Sequence, residues 1–330
     1  MSFPFHLPLI LDGATGTNLI AAGMPSGVCV EQWILEHPEK LLALQRAFLE
    51  AGSNAVMAPT FGANREKLAA YGLQDQVEEI NLKLVALSKE AAEPFHALVG
   101  GDVSPAGVMI EPYGDLTFDE LYDIYLEQIR ALKKAGVDFI ALETQMSLAD
   151  LRAGVLAAKE AGLPVFATIT VEDNGRTIMG TKFLPVLITL QALGAAAVGL
   201  NCSTGPEVME ELLEGAVSHA QVPLIAKPNA GKPSQEDPAV YPLSPAEFAE
   251  KNGIPSGCGR PNRRRLLRLY AGAYQRACPN SGKYLPGACS PGTGPFRCCD
   301  RKRKLFPWRR YLSQRAFGMQ LRSWRRFDRH

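Results

Sequence analysis

The strongest constraint on this chain is an alternation. Seven short apolar runs, separated by helical patterns, succeed one another through the first 250 residues: Leu7–Gly13, Ser53–Phe61, Phe95–Val103, Asp138–Thr144, Pro164–Val171, Ala195–Cys202 and Val222–Asn229. Runs of this length, bounded by turn-forming residues, read as buried strands. Between them Glu39–Gly52, Arg65–Tyr71, Gln74–Ala92, Thr117–Ala135, Leu148–Ala161, Leu184–Leu193 and Glu207–Ala220 read as helices, three of them closed by Gly136, Gly162 and Gly194. A further helix is expected from Ser244 to Lys251, with Ser244 as N-cap and Pro245 in the first turn. Strand and helix in turn, with short connections, is the order of a parallel sheet. Seven units heading for an eighth predict an α/β fold of the (β/α)8, TIM-barrel type. A doubly wound open sheet is the alternative. Its dinucleotide fingerprint is missing, because Asp12-Gly13-Ala14-Thr15-Gly16-Thr17 falls short of G-x-G-x-x-G.

In such a barrel the chemistry gathers at the carboxyl ends of the strands. Those ends carry Asp12, Thr60, Asp102, Glu143, Asn201 with Cys202, and Asn229. The stretch Val198–Pro206 is the sharpest, an apolar run that breaks into the polar turn Asn201-Cys202-Ser203-Thr204-Gly205-Pro206. Cys202 there is either a small buried hydrophobe or a ligand. Carboxylates and amides around one thiol suit a small zwitterion, since carboxylates hold an ammonium, and amides and backbone N–H groups hold a carboxylate. Asp102 and Thr60, taken singly, read as cap or rim hydrogen-bonding residues.

Charge divides the chain. Residues 251–330 hold 20 of the 35 Lys and Arg and 2 of the 34 Asp and Glu, a net of +18, which leaves residues 1–250 at −17. Five of the seven cysteines (Cys258, Cys278, Cys289, Cys298 and Cys299) and two of the three tryptophans (Trp308 and Trp324) also lie after residue 250. Residues 1–251 are therefore read as the barrel, and 252–330 as an Arg- and Cys-rich tail, disordered or foreign to it. A basic tail with interleaved aromatics suggests nucleic-acid binding through Arg301–Lys304 and Trp308-Arg309-Arg310, but solvated disorder is the preferred reading of that composition. Nothing frames the tail cysteines at metal-finger spacing. No apolar run reaches the length of a membrane span, and Met1–Pro8 has no basic region ahead of an apolar core, so a cytoplasmic location is expected.

Six segments in order, LDGATGT (Leu11–Thr17), TFGANREKL with YGL (Thr60–Leu68, Tyr71–Leu73), GDVSPAG (Gly101–Gly107), FIALET (Phe139–Thr144), GLNCSTGPE (Gly199–Glu207) and PNAGKP (Pro228–Pro233), resemble the homocysteine S-methyltransferase family. The likeness is strongest to the homocysteine-binding barrel of cobalamin-dependent methionine synthases. It implies methyl transfer to the thiol of homocysteine, giving methionine. It implies a zinc ion held by three Cys thiolates, with the substrate sulfur in the open fourth position. Cys202 matches the first of those thiolates. By the same resemblance Asp12 and Glu143 take the substrate's amino end, the backbone of Gly13–Thr17 (with Thr15 and Gly16 between) takes its carboxylate, and Asn201 and Asn229 lie near the ligand. Zinc serves to ionise a thiol whose free pKa is about 8.5 while leaving it nucleophilic. The methyl donors implied are a cobalamin fed by methyltetrahydrofolate, or a sulfonium compound. No D-x-H-x-x-G cobalamin motif occurs in the chain, so a corrinoid module would be a separate protein or domain. A barrel that binds the amino acid without turning it over is the alternative function.

The other two thiolates of the family stand in a Gly-Gly-Cys-Cys-Gly segment, expected near residue 264. This chain has Arg264-Arg265-Leu266-Leu267-Arg268 there, and Leu266 and Leu267 cannot bind zinc. Codons permitted for Arg264–Gln275, read one base later, spell Gly-Gly-Cys-Cys-Gly-Cys-Thr-Pro-Glu-His-Ile-Asn. The family continues its motif with Thr-Thr-Pro-Glu-His, so one residue disagrees. The reading frame is therefore expected to slip between about residues 250 and 260. The eighth strand would then be replaced by the Arg-rich Gly259–Arg268, leaving two open barrel edges, weakened zinc binding and impaired activity. Restoring one base around codons 250–260 of the coding DNA should open a frame through Gly-Gly-Cys-Cys; a coding sequence that offers no such frame refutes the slip.

Overall fold

The computed structural model describes residues 3–7, 9–232, 241–244, 247–248, 251–252 and, as backbone, 269–271. Eight parallel strands form a closed barrel in sequence order. They are β1 (Ile10–Leu11), β2 (Ala55–Ala58), β3 (Leu98–Val103), β4 (Phe139–Gln145), β5 (Val165–Ile169), β6 (Ala197–Asn201), β7 (Leu224–Lys227) and β8 (Leu269–Ala271). The helices are α1 (Gly16–Ala21), α2 (Val30–Glu36), α3 (Pro38–Glu50), α4 (Arg65–Ala69), α5 (Val77–Ala92), α6 (Phe118–Ala135), α7 (Leu148–Ala161), α8 (Phe183–Leu193) and α9 (Pro206–Ala216).

The seven expected strands all form, trimmed at their ends, and α7 has the bounds expected for it. The local signals act as anticipated. Thr117 and Glu120 close a capping box on α6, Ser147 accepts the Asp150 N–H at the start of α7, and Gly136, Gly162 and Gly194 end three helices at positive φ. Ser244 caps as expected, its Oγ accepting the Glu247 N–H while the Glu247 carboxylate accepts the Ser244 N–H. Two short helices, α1 and α2, were not anticipated. Glu207–Ala220 is helical only to Ala216, with a 3-10 turn over Val217–His219.

The expected open edge is corrected. β8 pairs with β7 (Ile225 beside Leu269, Ala226 beside Tyr270) and with β1 (Ile10 beside Tyr270, Leu11 beside Ala271). The closing strand is the uncharged Leu269-Tyr270-Ala271, just past the arginines, which spares the wall the desolvation of buried guanidinium groups. Three residues of the segment expected to lie outside the barrel thus supply its eighth strand. The rest of 253–330, with Leu266, Leu267 and the tail cysteines, lies outside the described residues.

Side chains alternate across each strand. Leu11, Ala55, Met57, Phe139, Ala141, Phe166, Ala197 and Ile225 fill the barrel interior, while Val56, Val99, Ile140, Leu142, Val198, Leu200 and Leu224 meet the helices outside. Phe139 and Phe166 stack with centroids 4.3 Å apart, and Phe3 and Phe5 pack on them from below. The floor of the barrel is therefore apolar.

Continuing the inward parity toward the carboxyl ends leads from Leu98 to Asp102, from Phe139 to Glu143, from Ala197 to Asn201 and from Ile225 to Lys227. Close packing of the wall depends on small residues. A Cβ on Gly199 would lie 2.0 Å from the Ile225 carbonyl oxygen on β7, a backbone atom that cannot turn aside. Gly199→Ala should cost about 3 kcal/mol, the upper end for overpacking. Gly16→Ala, with nothing within 4 Å of its Cβ, should leave the urea midpoint unchanged.

Candidate active site

Four inward residues of the parity rule, with Asp12 just past β1, make a polar mouth above the apolar floor. Each is placed by its strand, and the ring brings β1, β3, β4, β6 and β7 to one axis. Lys227 and Glu143 form an ion pair, 12% and 13% exposed. The carboxylates of Asp12 and Asp102 act on the same lysine. Burial works against the Lys227 ammonium, but Glu143, Asp12 and Asp102 together outweigh it and raise its pKa.

Asp12 Oδ2 accepts the Met57 N–H at 2.8 Å, and its Oδ1 is buried without a partner. Burial pushes the Asp12 carboxyl up to about 7, against the opposing pull of Lys227. Asp102 is also raised well above the usual carboxylate range, by burial first and then by Glu143, and its Oδ1 is likewise buried and unpartnered. Its expected role as a rim residue is thus corrected. Its backbone makes the rim contacts, to Thr60 Oγ1 at 2.8 and 3.1 Å, while its carboxyl joins the charged cluster. Thr60 is the rim residue expected.

Cys202 is held by a clamp. Asn201 Oδ1 accepts the Thr144 N–H at 3.0 Å, and Asn201 Nδ2 donates to Thr144 Oγ1 at 2.9 Å and to Cys202 Sγ at 3.0 Å. Thr144, Cys202 and Ser203 all have positive φ (57°, 61° and 52°), a region that costs a non-glycine residue energy. Thr144 lies where the β4–β5 register shifts, between Leu142 and Gln145. Such a bulge re-aims a side chain, here beside Glu143. Burial pushes the Cys202 thiol up to about 12, with the Thr144 contact opposing it. The thiol is therefore protonated at neutral pH.

The remaining expected residues lie at the same end. Gly13, Thr15, Gly16 and Thr17 make the turn from Asp12 into α1, where a Cβ on Gly13 would come within 2.9 Å of the Phe48 ring. Asn229 is buried, and its N–H bonds the Thr204 carbonyl at 3.0 Å, tying the loop after β7 to the loop after β6. Three neighbours were not foreseen. Lys227 had a signal, since it is inward by alternation from Ile225. Tyr241, 2% exposed and with its hydroxyl unpartnered, lies near Cys202 but has no periodic context. Lys67 on α4 donates to Ser104 Oγ at 2.7 Å and lies 5.0 Å from the Phe61 ring; burial brings it down to about 8.

Comparison with known proteins gives the family and the fold. Residues 9–272 match the family model for homocysteine S-methyltransferase. The chain belongs to the homocysteine S-methyltransferase family. Its relatives include the methionine synthases of Mycobacterium tuberculosis, 33% identical over 260 residues, and of Mycobacterium leprae, 32% identical over 260 residues. In both cases the match covers 73% of this chain and 22% of the relative, so the chain spans about a fifth of their length. The fold is that of the homocysteine methyltransferase MmuM from Escherichia coli. Its metallated form has a TM-score of 0.65 at 20% identity, covering 80% of this chain and 91% of that one, and its oxidized form has a TM-score of 0.64 at 21% identity, covering 80% and 90%. The family is one of enzymes. Among the described residues no helix is long and apolar enough to cross a membrane.

A family metal can be tested against the donors present. Among the described residues no group of three His, Cys, Asp or Glu side chains could hold a metal ion, and the two thiols described, Cys29 and Cys202, are both buried and free. Cys29 bonds Glu31 near α2 instead. The described donor set lacks the two further thiolates that the resemblance implies for a zinc site.

The Asp12 shift makes stability depend on pH. Between about 4 and about 7 the folded carboxyl keeps its proton and the unfolded one does not. The stabilisation is therefore complete at the acid end and lost as pH rises through 7. The span corresponds to at most about 4 kcal/mol at about 1.4 kcal/mol per unit. Urea midpoints should fall between about pH 5 and about pH 8, and Asp12→Asn, which keeps an acceptor for Met57, should flatten that fall.

Proposed function

We propose that this barrel binds homocysteine in the mouth above Phe139 and Phe166. Asp12 and Glu143 form its ammonium end, the Gly13–Thr17 backbone meets its carboxylate, and Asn201, Cys202 and Asn229 surround its sulfur. One observation carries the reading: two carboxylates, two amides and a thiol (Asp12, Glu143, Asn201, Asn229 and Cys202) lie at the carboxyl ends of the barrel strands, and a zwitterion with a thiol tail has the complementary groups.

The reaction proposed for the family site is methyl transfer to the homocysteine thiol, giving methionine. The zinc of that reaction would supply the charge that ionises the substrate thiol. Cys202 alone cannot hold it, and Leu266 and Leu267 stand where the partner thiolates are expected. What the chain's own residues do is bind and orient. Asn201 fixes the thiol side of the pocket, Asp12 and Glu143 its charged side, and the packed floor excludes water. We read this chain as an impaired member, truncated in sense at about residue 251 by a slipped frame, with a cytoplasmic location. Its methyl donor would be a corrinoid carried on a separate protein or domain and charged by methyltetrahydrofolate, or a sulfonium compound. Nucleic-acid binding by residues 252–330 is not favoured.

The high pKa of the Cys202 thiol favours a second reading, a barrel that binds the amino acid without turning it over. Calorimetry with homocysteine, with and without zinc, separates the two. The purified chain should hold well under one zinc per molecule and show little methyl transfer, and the frame-restored chain should hold one. Full zinc occupancy with homocysteine methylation by the chain as written would refute the impairment.

A further inference from the structure

Past Glu143 the strand β4 breaks step. Phe139, Ala141 and Glu143 face the axis, and strict alternation would turn residue 145 the same way. Gln145 goes outward instead. Its side chain is fully buried, and its Oε1 accepts the hydroxyl of Tyr125 at 3.1 Å, on α6 outside the barrel. Its Nε2 donates to the Val103 carbonyl on β3 at 3.3 Å, which orients the amide with its oxygen toward the phenol. The extra residue is Thr144, taken up where the β4–β5 register shifts, with φ at 57°. β5 completes the step: the Thr170 N–H donates to the Gln145 carbonyl at 2.8 Å, and Thr168 Oγ1 donates to the Leu142 carbonyl at 3.1 Å.

A left-handed backbone at a β-branched residue persists only where its surroundings impose it. Tyr125 imposes it from outside. The phenol is 2% exposed, and its O–H is shared with Asp150 Oδ1 at 2.9 Å. Asp150 is tied in turn to Ser147, whose hydroxyl donates to its carboxylate and accepts its N–H. Thr144, turned by the step, gives its N–H to Asn201 Oδ1 and takes the Asn201 amide on its hydroxyl, which stands 3.6 Å from Cys202 Sγ. Contacts thus run without a gap from Tyr125 through Gln145, Thr144 and Asn201 to the thiol.

We propose that Tyr125 is a positioning residue for the thiol side of the mouth. Through Gln145 it locks the step in β4 that turns Thr144 onto Asn201 and Cys202. It acts from α6 by holding one backbone conformation. Its bearing on a ligand's sulfur rests on the homocysteine reading above; the lock itself does not.

The test is iodoacetamide labelling of the folded full chain, read peptide by peptide by mass spectrometry. Cys29 is the internal reference, a second buried free thiol, bonded to Glu31 near α2. Tyr125→Phe removes one oxygen and keeps the ring. It should speed labelling of Cys202 about fivefold or more and leave Cys29 within about twofold, because the opening is local. Gln145→Met should do the same, and the double variant should exceed either single one by less than about twofold, since both break one link. Circular dichroism checks each fold, and Gln145→Met decides the matter alone if Tyr125→Phe does not fold. No rise at Cys202, an equal rise at both thiols, or a double variant whose rise is the product of the single ones overturns the lock. Calorimetry with L-homocysteine and L-2-aminobutanoate, the same molecule without its sulfur, tests the ligand. Tyr125→Phe should weaken homocysteine about fivefold and leave 2-aminobutanoate within about twofold. Selective labelling without that selective weakening overturns the positioning role toward the ligand. An unsubstituted chain that binds neither ligand overturns the homocysteine reading, and the labelling then decides the lock by itself.

Discussion

The ion pair between Lys227 and Glu143 governs the mouth of the barrel. Its ammonium pairs with Glu143 and pulls against the burial that raises the Asp12 and Asp102 carboxyls. Buried carboxylates shift each other's protonation and oppose folding. One lysine neutralises one of them outright and tempers the other two. Removing one partner of such a pair typically costs about 3–5 kcal/mol, because the survivor stays buried and unpaired. The site is therefore not a neutral cavity that happens to carry acids. It is a buried ion pair beside two carboxyls whose hold on their protons burial has strengthened.

The thiol side is organised differently. No charge holds Cys202; one amide does. Asn201 reaches both across to Thr144 and along to Cys202, and the residues it touches have backbones in the left-handed region. Strain of this sort costs about 1–3 kcal/mol per residue and persists only where the surroundings over-determine it. Here they do: the Cys202 N–H bonds the Lys227 carbonyl at 2.9 Å, so β7 fixes the thiol's backbone with the same residue whose side chain fixes Glu143. The two halves of the mouth are thus mechanically joined through one position on β7.

The chain belongs to the homocysteine S-methyltransferase family, and a thiol, an amide and carboxylates share this rim. Closing the ring with β8 and carrying the family's metal are separate requirements. A sheet edge is satisfied by any short uncharged segment whose backbone can pair. A thiolate site needs particular side chains at particular atoms. Leu269–Ala271 meets the first demand; the second is a matter of the site chemistry proposed above.

Much of this was written in the sequence. Short apolar runs and helical runs in alternation pointed to seven strands and the barrel, because buried parallel strands need helices to cover them. Asn201, Cys202, Asp12, Glu143 and Asn229 could be picked out because they break apolar runs at strand ends. Tertiary structure alone decided the rest. Whether Asp102 is a rim residue or a buried acid depends on which neighbours its carboxyl meets across the barrel. Lys227 becomes the partner of Glu143 only when β4 and β7 are brought around one axis. The closing strand forms at 269–271 because pairing partners on both β7 and β1 exist only once the ring is nearly complete. Local pattern dictates which face of a strand is inward; closure of the ring dictates which inward groups meet, as Glu143 and Lys227 do across 84 positions of the chain.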